Sequence, residues 1–307
     1  MKKLVTHNGV FHCDDIFATA TLTLFLDKSG ESFEVVRTRD ADIIATADYA
    51  YDVGGVYDAE KNKFDHHQTS GAGFRSAPLV NTNEKFVPIE YASFGLVWKK
   101  FGAELAGGEK EASIIDKKLV APIDAIDNGF ALSDLKYDIE PYSIESAFAS
   151  LRPTWQEDEG GEDEAFFKCL EMAKLFLTRE IVYAQGSVLA EDKVLESYRN
   201  AQDKRIIILD NHYPCQDTLR AYPEPLFVIS QRKADKLWGV RAIQKDKHTF
   251  KNRKDFPADW GGLHDEELQN ITGVSDAVFC HKSLFLAVTK SKEGALKLAK
   301  LALEASA

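Results

Sequence analysis

The stretch KKLVTHNGVFHCDDIFATATLTLFLDK, residues 2–28, decides the expected fold. Residues 2–7 form a short apolar run that predicts a β-strand. The segment from Asp14 predicts a helix that is apolar on nearly all sides, and Asp14 itself is available as its N-cap. A strand followed at once by a buried helix is the start of a βαβ unit, so this stretch predicts a parallel sheet.

Strands and helices continue to alternate through the first half of the chain. Core-facing helices are predicted there as well as short strands, and the last of these helices is bent at Pro122. The predicted strands are 33–39 and 49–53, and the predicted helices are 41–47, 88–102 and 111–128.

The second half begins with a long predicted helix, 162–200, whose one weak point is Gly186. Its length suits a connector between two domains. A second α/β pattern follows, with predicted strands at 205–210, 226–231, 237–243, 277–281 and 284–289 and a closing helix at 293–305.

The predicted fold class is therefore α/β, with three parts. Residues 1–158 form a parallel-sheet domain that carries the metal-binding residues, and residues 159–200 form a helical connector. Residues 201–307 form a smaller α/β domain that binds substrate. We expect the active site to lie in the cleft between the two domains.

Composition narrows the class of protein. The 307 residues carry a net charge of −11, and an acidic chain repels polyanions unless metal ions neutralise some carboxylates. The four cysteines are scattered, which is typical of a reducing compartment. Neither a membrane span nor a secretory signal is evident, so we expect a cytoplasmic protein without a membrane partner.

Acids and histidines follow the predicted strands of the first half. In an open parallel sheet, the loops that leave the carboxyl ends of the strands converge on one crevice. The candidates are His7, His12 and Asp14 in the first loop, Asp52 in the second, Asp65, His66 and His67 in the third, and Asp124 and Asp127 in the fourth.

Carboxylate oxygens mixed with imidazole nitrogens suit Mn²⁺, Fe²⁺ or Zn²⁺ better than Ca²⁺. The candidates are too many for one tetrahedral ion and about enough for two ions that share a bridging carboxylate. Two metals roughly 3.5–4 Å apart are the usual apparatus of phosphoester hydrolysis. Taken singly, Asp14 also fits a helix cap, Asp52 a turn before Gly-Gly and Asp127 a helix stop. Turn chemistry does not require the histidines, so we favour a metal site.

Several motifs resemble those of one family in order and spacing. They are THNGVFHCDDIFATATL, YDVGGVYDAEKNKFDHHQ, YASFGLVWKKFG, IDAIDNGF, LRPTW and GLHDEELQNITGV. This set resembles the MYG exonuclease family (melanocyte proliferating gene) of the DHH phosphoesterase superfamily over nearly the whole chain. The resemblance implies a DHH-type N-terminal domain, a dinuclear site for two Mn²⁺ ions, with Mg²⁺, Fe²⁺ or Zn²⁺ as alternatives, and 3′–5′ exonuclease activity on RNA.

The resemblance also implies a set of metal ligands, which are His7, His12, Asp14, Asp52, His66 and Asp127. The chain departs from the family pattern twice. His12 stands where the superfamily has an aspartate, which leaves the identity of the metal open. His264 stands where an arginine is expected to bind phosphate, which leaves the preferred substrate length open.

We expect Asp52 to bridge the two ions, in a catalytic set completed by Asp65 and His67. The remaining ligands divide into His7, His12 and His66 on one ion and Asp14 and Asp127 on the other. Asp65 would orient an imidazole by accepting its free N–H. His67 would contact the phosphate or protonate the leaving oxygen. Cys13 is expected to point away and pack as an apolar group.

The basic stretch 231–254 holds nine basic and two acidic residues, with Trp238 and Phe250 among them. Cations and rings in alternation are typical of single-strand binding, although a solvated hairpin with a lysine-rich edge is an equal alternative. Arg152 and His281 are further candidates for substrate contacts. The strand 284–289 could form the interface of a homodimer.

The predicted function is a metal-dependent exonuclease that acts on single-stranded RNA or short oligonucleotides. One alternative keeps the site but changes the substrate to a small nucleotide phosphoester or pyrophosphate. Another is a non-catalytic module that holds a nucleotide through its metals.

Overall fold

The chain forms two compact units, Met1–Gln185 and Gly186–Ala307, each with a five-stranded sheet. A computed structural model describes residues 1–75, 88–135, 137–157, 161–246 and 249–305. The predicted mixed α/β class is confirmed. The predicted division into residues 1–158, 159–200 and 201–307 stays a prediction.

The first sheet has the strand order β2-β1-β3-β5-β4. Strands β1, β2, β3 and β5 run parallel, and β4 pairs antiparallel with β5. The bounds are Lys2–Thr6 for β1, Phe33–Arg37 for β2, Tyr49–Tyr51 for β3, Tyr57–Asp58 for β4 and Lys63–Phe64 for β5. The strands end where the acid and histidine motifs begin.

Helix α1, Cys13–Ser29, follows β1, but its N-cap is His12 and not Asp14. The predicted cap was wrong because Asp14 lies inside the first turn, where its carboxylate reaches another helix. That helix is α3, Ser93–Ala106. The Asp14 carboxylate accepts hydrogen bonds from Ser93 N at 3.1 Å and Phe94 N at 2.7 Å. These bonds satisfy N–H groups that have no partner within the helix, so α3 begins at Ser93 and not at residue 88.

The core of the first unit lies between α1 and α3. Phe17 is fully buried and stacks on Phe94 with ring centroids 5.3 Å apart and on Phe148 at 5.9 Å. Cys13 is also buried in this core. The apolar character of α1 on nearly all sides is explained by this burial.

The other helices before residue 186 are mostly short. The predicted helix 111–128 is divided into α4, a π-helical segment and α5, with Pro122 in the first turn of α5, where its missing N–H is tolerated. The bounds are Ala41–Ala45 for α2, Glu109–Ile115 for α4, Asp116–Val120 for the π segment, Ala121–Asp127 for α5, Ile144–Ala149 for α6 and Gly161–Asn200 for α7. Within the described ranges, no helix is long and apolar enough to cross a membrane.

The second sheet has the order β6-β7-β8-β10-β9, in which only β6 and β7 pair in parallel. Its strands are β6 Ile206–Ile208, β7 Phe227–Gln231, β8 Trp238–Ala242, β9 Ala277–Cys280 and β10 Leu286–Thr289. Its helices are α8 Gln216–Arg220, α9 Asp265–Thr272 and α10 Lys292–Glu304.

The strand predicted at 284–289 does not protrude. Strand β10 pairs with β8 on one side and with β9 on the other. Since both of its backbone edges are used, it cannot add a strand from a second copy. A homodimer stays a prediction, but β10 does not provide its interface by strand pairing.

Replacing Phe17 with alanine should destabilise the first unit by about 3–5 kcal/mol, because a buried ring leaves a cavity between two rigid helices. Leu175→Ala is the matched control, since Leu175 is 61% exposed, and it should cost less than about 0.5 kcal/mol. Urea unfolding followed by circular dichroism measures both variants. Equal losses would contradict the packing of α1 on α3.

Candidate metal centre

The acid and histidine motifs come together at one edge of the first sheet. His7 follows β1, Asp52 follows β3, and the Asp65–His67 motif follows β5. Asp127 is the last residue of α5. These side chains line a cavity of about 650 Å³, which His12 also lines. The convergence expected at the carboxyl ends of parallel strands is observed in this part of the chain.

Asp52 occupies a left-handed backbone conformation, with φ of 52°. Its N–H donates to Ser93 Oγ at 2.9 Å, and Gly54 and Gly55 continue the turn at φ of 97° and 68°. Left-handed backbone is unusual for a residue with a side chain, although aspartate tolerates it better than most. The turn is thus built around the position of one carboxylate.

The Asp52 carboxylate lies between two histidines. Its Oδ2 is 3.1 Å from His7 Nε2, and its Oδ1 is 3.5 Å from His66 Nε2. Burial opposes ionisation of Asp52, but the interactions with His66 and His7 outweigh it and hold the pKa of Asp52 well below its usual range. Burial likewise opposes protonation of His7 and His66, yet Asp52 raises the pKa of both.

Two further acids stand on the other side of His66. Asp127 Oδ2 is 3.3 Å from His66 Nε2. Burial raises the pKa of Asp14 well above its ordinary value, and the charges of Asp127 and Asp52 add to the shift. Burial and Asp52 also raise the pKa of Asp127. Acids that repel one another in a buried site are stabilised in their charged form by cations.

The donor atoms form three groups, and within each group the atoms lie within 4.8 Å of one another. The groups are His7, His12 and Asp52; Asp52, His66 and His67; and Asp14, His66 and Asp127. His66 therefore groups with Asp14 and Asp127, whereas the sequence analysis assigned it to the ion of His7 and His12. The ligand set itself stays a prediction.

The residues present fit a divalent metal ion. Asp52 Oδ1, His66 Nε2 and Asp15 Oδ2 are buried and make no hydrogen bond within the described residues. Asp52 Oδ1 and His66 Nε2 lie 3.5 Å apart, which is too long for a good hydrogen bond. Buried polar atoms without a partner are costly unless another group satisfies them. A mixed set of carboxylates and imidazoles is the ligand chemistry of Mn²⁺, Fe²⁺ and Zn²⁺.

Asp65 holds His67 in place. Its Oδ1 accepts from the His67 backbone N–H at 3.1 Å and lies 2.7 Å from His67 Nδ1. This contact raises the pKa of His67. Burial opposes ionisation of Asp65, but the bonds from His67 and Gly55 lower its pKa. The ring of His67 is largely exposed on the cavity side, so it is free to meet a ligand.

The sequence analysis missed residues that connect the site. Ser93 is buried and bonds to the backbone of Asp52 and to Asp14. Asp15 is also buried; its Oδ1 accepts from His12 N at 2.8 Å, and its Oδ2 is 3.6 Å from His7 Nε2. The sequence does contain a signal for Asp15, because two adjacent acids stand at the start of an apolar helix. Nothing in the sequence pointed to Ser93.

The candidate Asp124 is engaged elsewhere. Its carboxylate forms a buried salt bridge with Arg75 at 2.5 Å and accepts from Gly95 N at 3.0 Å. A Cβ atom at residue 95 would lie 1.9 Å from Asp124 Oδ2, so only glycine permits this contact. Asp124 thus stabilises α3 and does not line the cavity.

Of the predicted substrate contacts, Arg152 belongs to the first unit. Its guanidinium donates to Phe11 O and lies 3.5 Å from Glu145 Oε1, and Glu145 lines the cavity. Arg152 itself is not among the lining residues. The second candidate, His281, belongs to the other unit, where Nδ1 accepts from Ser283 N at 3.0 Å. In the basic stretch 231–254, Lys247 and His248 lie outside the described residues.

The fold and the site together define a mixed α/β protein with a buried carboxylate–imidazole centre suited to divalent metal ions. The chain matches the MYG1_exonuc family model, described as Uncharacterised protein family (UPF0160), over residues 3–303. It belongs to this family, and the resemblance found in the sequence is confirmed.

Named relatives match along nearly the whole chain. The MYG1 exonuclease of Homo sapiens is 29% identical over 98% of this chain and 85% of its own length. A MYG1 protein of Caenorhabditis elegans is 30% identical over 97% of this chain and 94% of its own length. Among solved structures, RecJ in complex with Mn²⁺ from Thermus thermophilus has 13% identity and a TM-score of 0.30, over 99% of this chain and 52% of that chain.

The metal-free protein should lose thermal stability as the pH rises from 5 to 8. The folded-state pKa values of His7 and His66 are raised, so each histidine contributes stability below the unfolded pKa near 6.5 that is lost as the pH rises through the folded pKa. Burial raises the pKa of Asp15 to about 7, so ionising Asp15 in this range also disfavours folding. Melts in EDTA should show a midpoint lower by several degrees, roughly 3–8 °C, at pH 8.

Added Mn²⁺ should raise the melting midpoint more at pH 8 than at pH 5, because metal ligands must be deprotonated. Asp52 has a lowered pKa, so the stability it contributes is lost only at acid pH, outside this range. Asp52→Asn should flatten the metal-free profile, since the pKa values of His7 and His66 then fall. A wild-type midpoint that stays constant or rises from pH 5 to 8 in EDTA would contradict the electrostatics described here.

Proposed function

We propose that this protein is a metal-dependent phosphodiesterase, most specifically a 3′–5′ exonuclease that acts on single-stranded RNA or short oligonucleotides. One observation carries the proposal. Asp52 Oδ1 and His66 Nε2 are buried at a cavity of about 650 Å³ and make no hydrogen bond within the described part of the chain. The relatives named MYG1 exonuclease support the choice of a nuclease.

We assign the ligands to two ions according to the observed groups. His7 and His12 would hold one ion, and Asp14, His66 and Asp127 would hold the other. Asp52 is near both, since it groups with His7 and His12 and also with His66. When bound, two divalent ions, Mn²⁺ as first choice, supply charge that lowers the pKa of an attacking water and neutralises the phosphate. His12 adds a nitrogen donor, which keeps Fe²⁺ and Zn²⁺ as alternatives.

The residues of the chain supply the negative charge, contact the substrate and donate the proton. Asp52 stays ionised at neutral pH, so its charge is available without a proton to displace. Asp65 occupies Nδ1 of His67 and leaves Nε2 for the substrate. A protonated His67 binds a phosphate oxygen, or donates the Nε2 proton to the leaving oxygen as the P–O bond breaks. Asp65 then steadies the ring as a positioning residue.

The oligonucleotide substrate is favoured by the basic stretch 231–254, which a small phosphoester does not need. The cytoplasm is favoured as the compartment, because Cys13, Cys169, Cys215 and Cys280 are all free thiols.

With Mn²⁺, the protein should shorten a 5′-labelled single-stranded RNA from its 3′ end, which a denaturing gel shows as a ladder. The Asp52→Asn variant should lose at least about a thousandfold in rate, since removing its charge disrupts both ligand groups. A DNA strand of the same sequence, run beside the RNA, measures the sugar preference.

Asp27→Asn is the matched control, because Asp27 is exposed near the end of α1. It should keep the wild-type rate, and both variants should keep the wild-type circular dichroism spectrum. An active Asp52→Asn variant would overturn the assignment. RNA left intact by a folded, metal-loaded wild type would move the proposal to a small phosphoester or to a sensing module.

His67→Gln should lower kcat by about 100-fold and leave the number of bound Mn²⁺ ions unchanged. The reason is that the ring of His67 is largely exposed at the cavity, while its Nδ1 is already engaged by Asp65. Single-turnover kinetics and Mn²⁺ counting by mass spectrometry measure the two effects separately. Loss of a bound ion would instead make His67 a metal ligand.

A further inference from the structure

A second cavity, of about 440 Å³, lies wholly in the second unit. Arg241, Phe250 and Phe285 line it, together with Gln244, Asn252 and Ser283. Its volume falls within the range of small-ligand sites. None of these residues belongs to the metal centre.

Two aromatic rings border this cavity and are open to solvent. Phe250 is 96% exposed, and Phe285 is 36% exposed. The ring of Phe285 also faces His281, with centroids 4.5 Å apart. A phenylalanine ring left almost fully in water gains free energy when a ligand covers it. A flat π-face on the ligand covers such rings best.

The cavity is also lined by an arginine that forms no ion pair within the described residues. Arg241 is exposed on β8, and among the described residues no carboxylate forms a salt bridge with it. A free guanidinium binds phosphate in a fixed, planar geometry.

The two ends of the loop that carries Phe250 are joined to each other within the second unit. Its base closes through Lys245 N, which donates to Lys251 O at 2.8 Å, and through a bridge between Gln244 and Asn252. Arg253 anchors the following residues by donating to Arg220 O at 2.8 Å. Fixed loop ends reduce the conformational entropy that is lost when a ligand binds.

The side-chain amide of Gln244, which lines the cavity, is only partly hydrogen-bonded. Gln244 Oε1 accepts from Arg220 at 3.2 Å, while its amide nitrogen has no partner among the described residues. A free amide donor beside two rings can meet the edge of a base. These groups match the parts of one nucleotide. The rings can cover the face of the base, the amide donor can meet its edge, and the guanidinium can bind the phosphate.

We propose that the cavity lined by Arg241, Phe250 and Phe285 binds one nucleotide of a single-stranded oligonucleotide, with its base against the rings and its phosphate on Arg241. We take the ligand class from the proposed function, on which this inference therefore rests. An acidic peptide shares the charge but has no flat base to cover the rings.

Binding of a fluorescein-labelled octameric oligoadenylate by the full chain, measured by anisotropy in EDTA, tests the site without hydrolysis. Phe250→Ala and Arg241→Gln should each raise Kd roughly tenfold. Arg241→Gln should also reduce the salt slope of log K by about 0.7, the value for one phosphate on a single strand, whereas Phe250→Ala should leave the slope unchanged.

Two matched controls make the same chemical changes elsewhere. Lys290→Gln removes an exposed cation of the second unit outside the cavity, and Leu175→Ala removes an exposed apolar group. Both should bind as the wild type does. The proposal is overturned if Phe250→Ala and Arg241→Gln bind like these controls, or if an oligoglutamate competes as well as the oligonucleotide.

A chromogenic phosphodiester, bis(p-nitrophenyl) phosphate with Mn²⁺, separates this proposal from the proposed function. The two cavity variants should hydrolyse it at the wild-type rate, because this substrate is too small to need the second cavity. If the wild-type protein hydrolyses neither RNA nor bis(p-nitrophenyl) phosphate, the proposed nuclease function is contradicted. The binding measured in EDTA would still decide whether the second cavity binds a nucleotide.

Discussion

The carboxylate of Asp52 is the constraint on which the site of the first unit depends. It lies 3.1 Å from His7 and 3.5 Å from His66, and so joins residues that follow three different strands. To reach this position the backbone adopts φ of 52°, which costs free energy for any residue with a Cβ atom. The contacts of a buried charge with two imidazoles offset that cost.

Structural and chemical roles are combined in the same side chains. Asp14 caps α3 through Ser93 and Phe94, and it also stands beside His66 and Asp127. Its position is therefore set by the packing of α1 on α3, not by a ligand. A metal site built on helix caps and strand ends is held rigidly before an ion binds, which favours affinity and a defined geometry.

The two units carry different chemistry. The first concentrates acids and imidazoles, and their mutual repulsion raises the pKa of Asp14 and Asp127 beyond the effect of burial alone. The second exposes aromatic rings and an arginine, Arg241, that no described carboxylate pairs with, in a chain that is acidic overall.

The sequence by itself determined the alternation of strands and helices in the first unit and the residues that follow its strands. These features are local, because apolar periodicity and strand ends can be read from neighbouring residues. Only the tertiary structure decided that Asp14 caps α3, that Ser93 ties it to Asp52, and that His66 groups with Asp127. Asp14 and Ser93 are 79 positions apart, and contacts over such distances arise from the packing of whole helices, which local patterns do not encode.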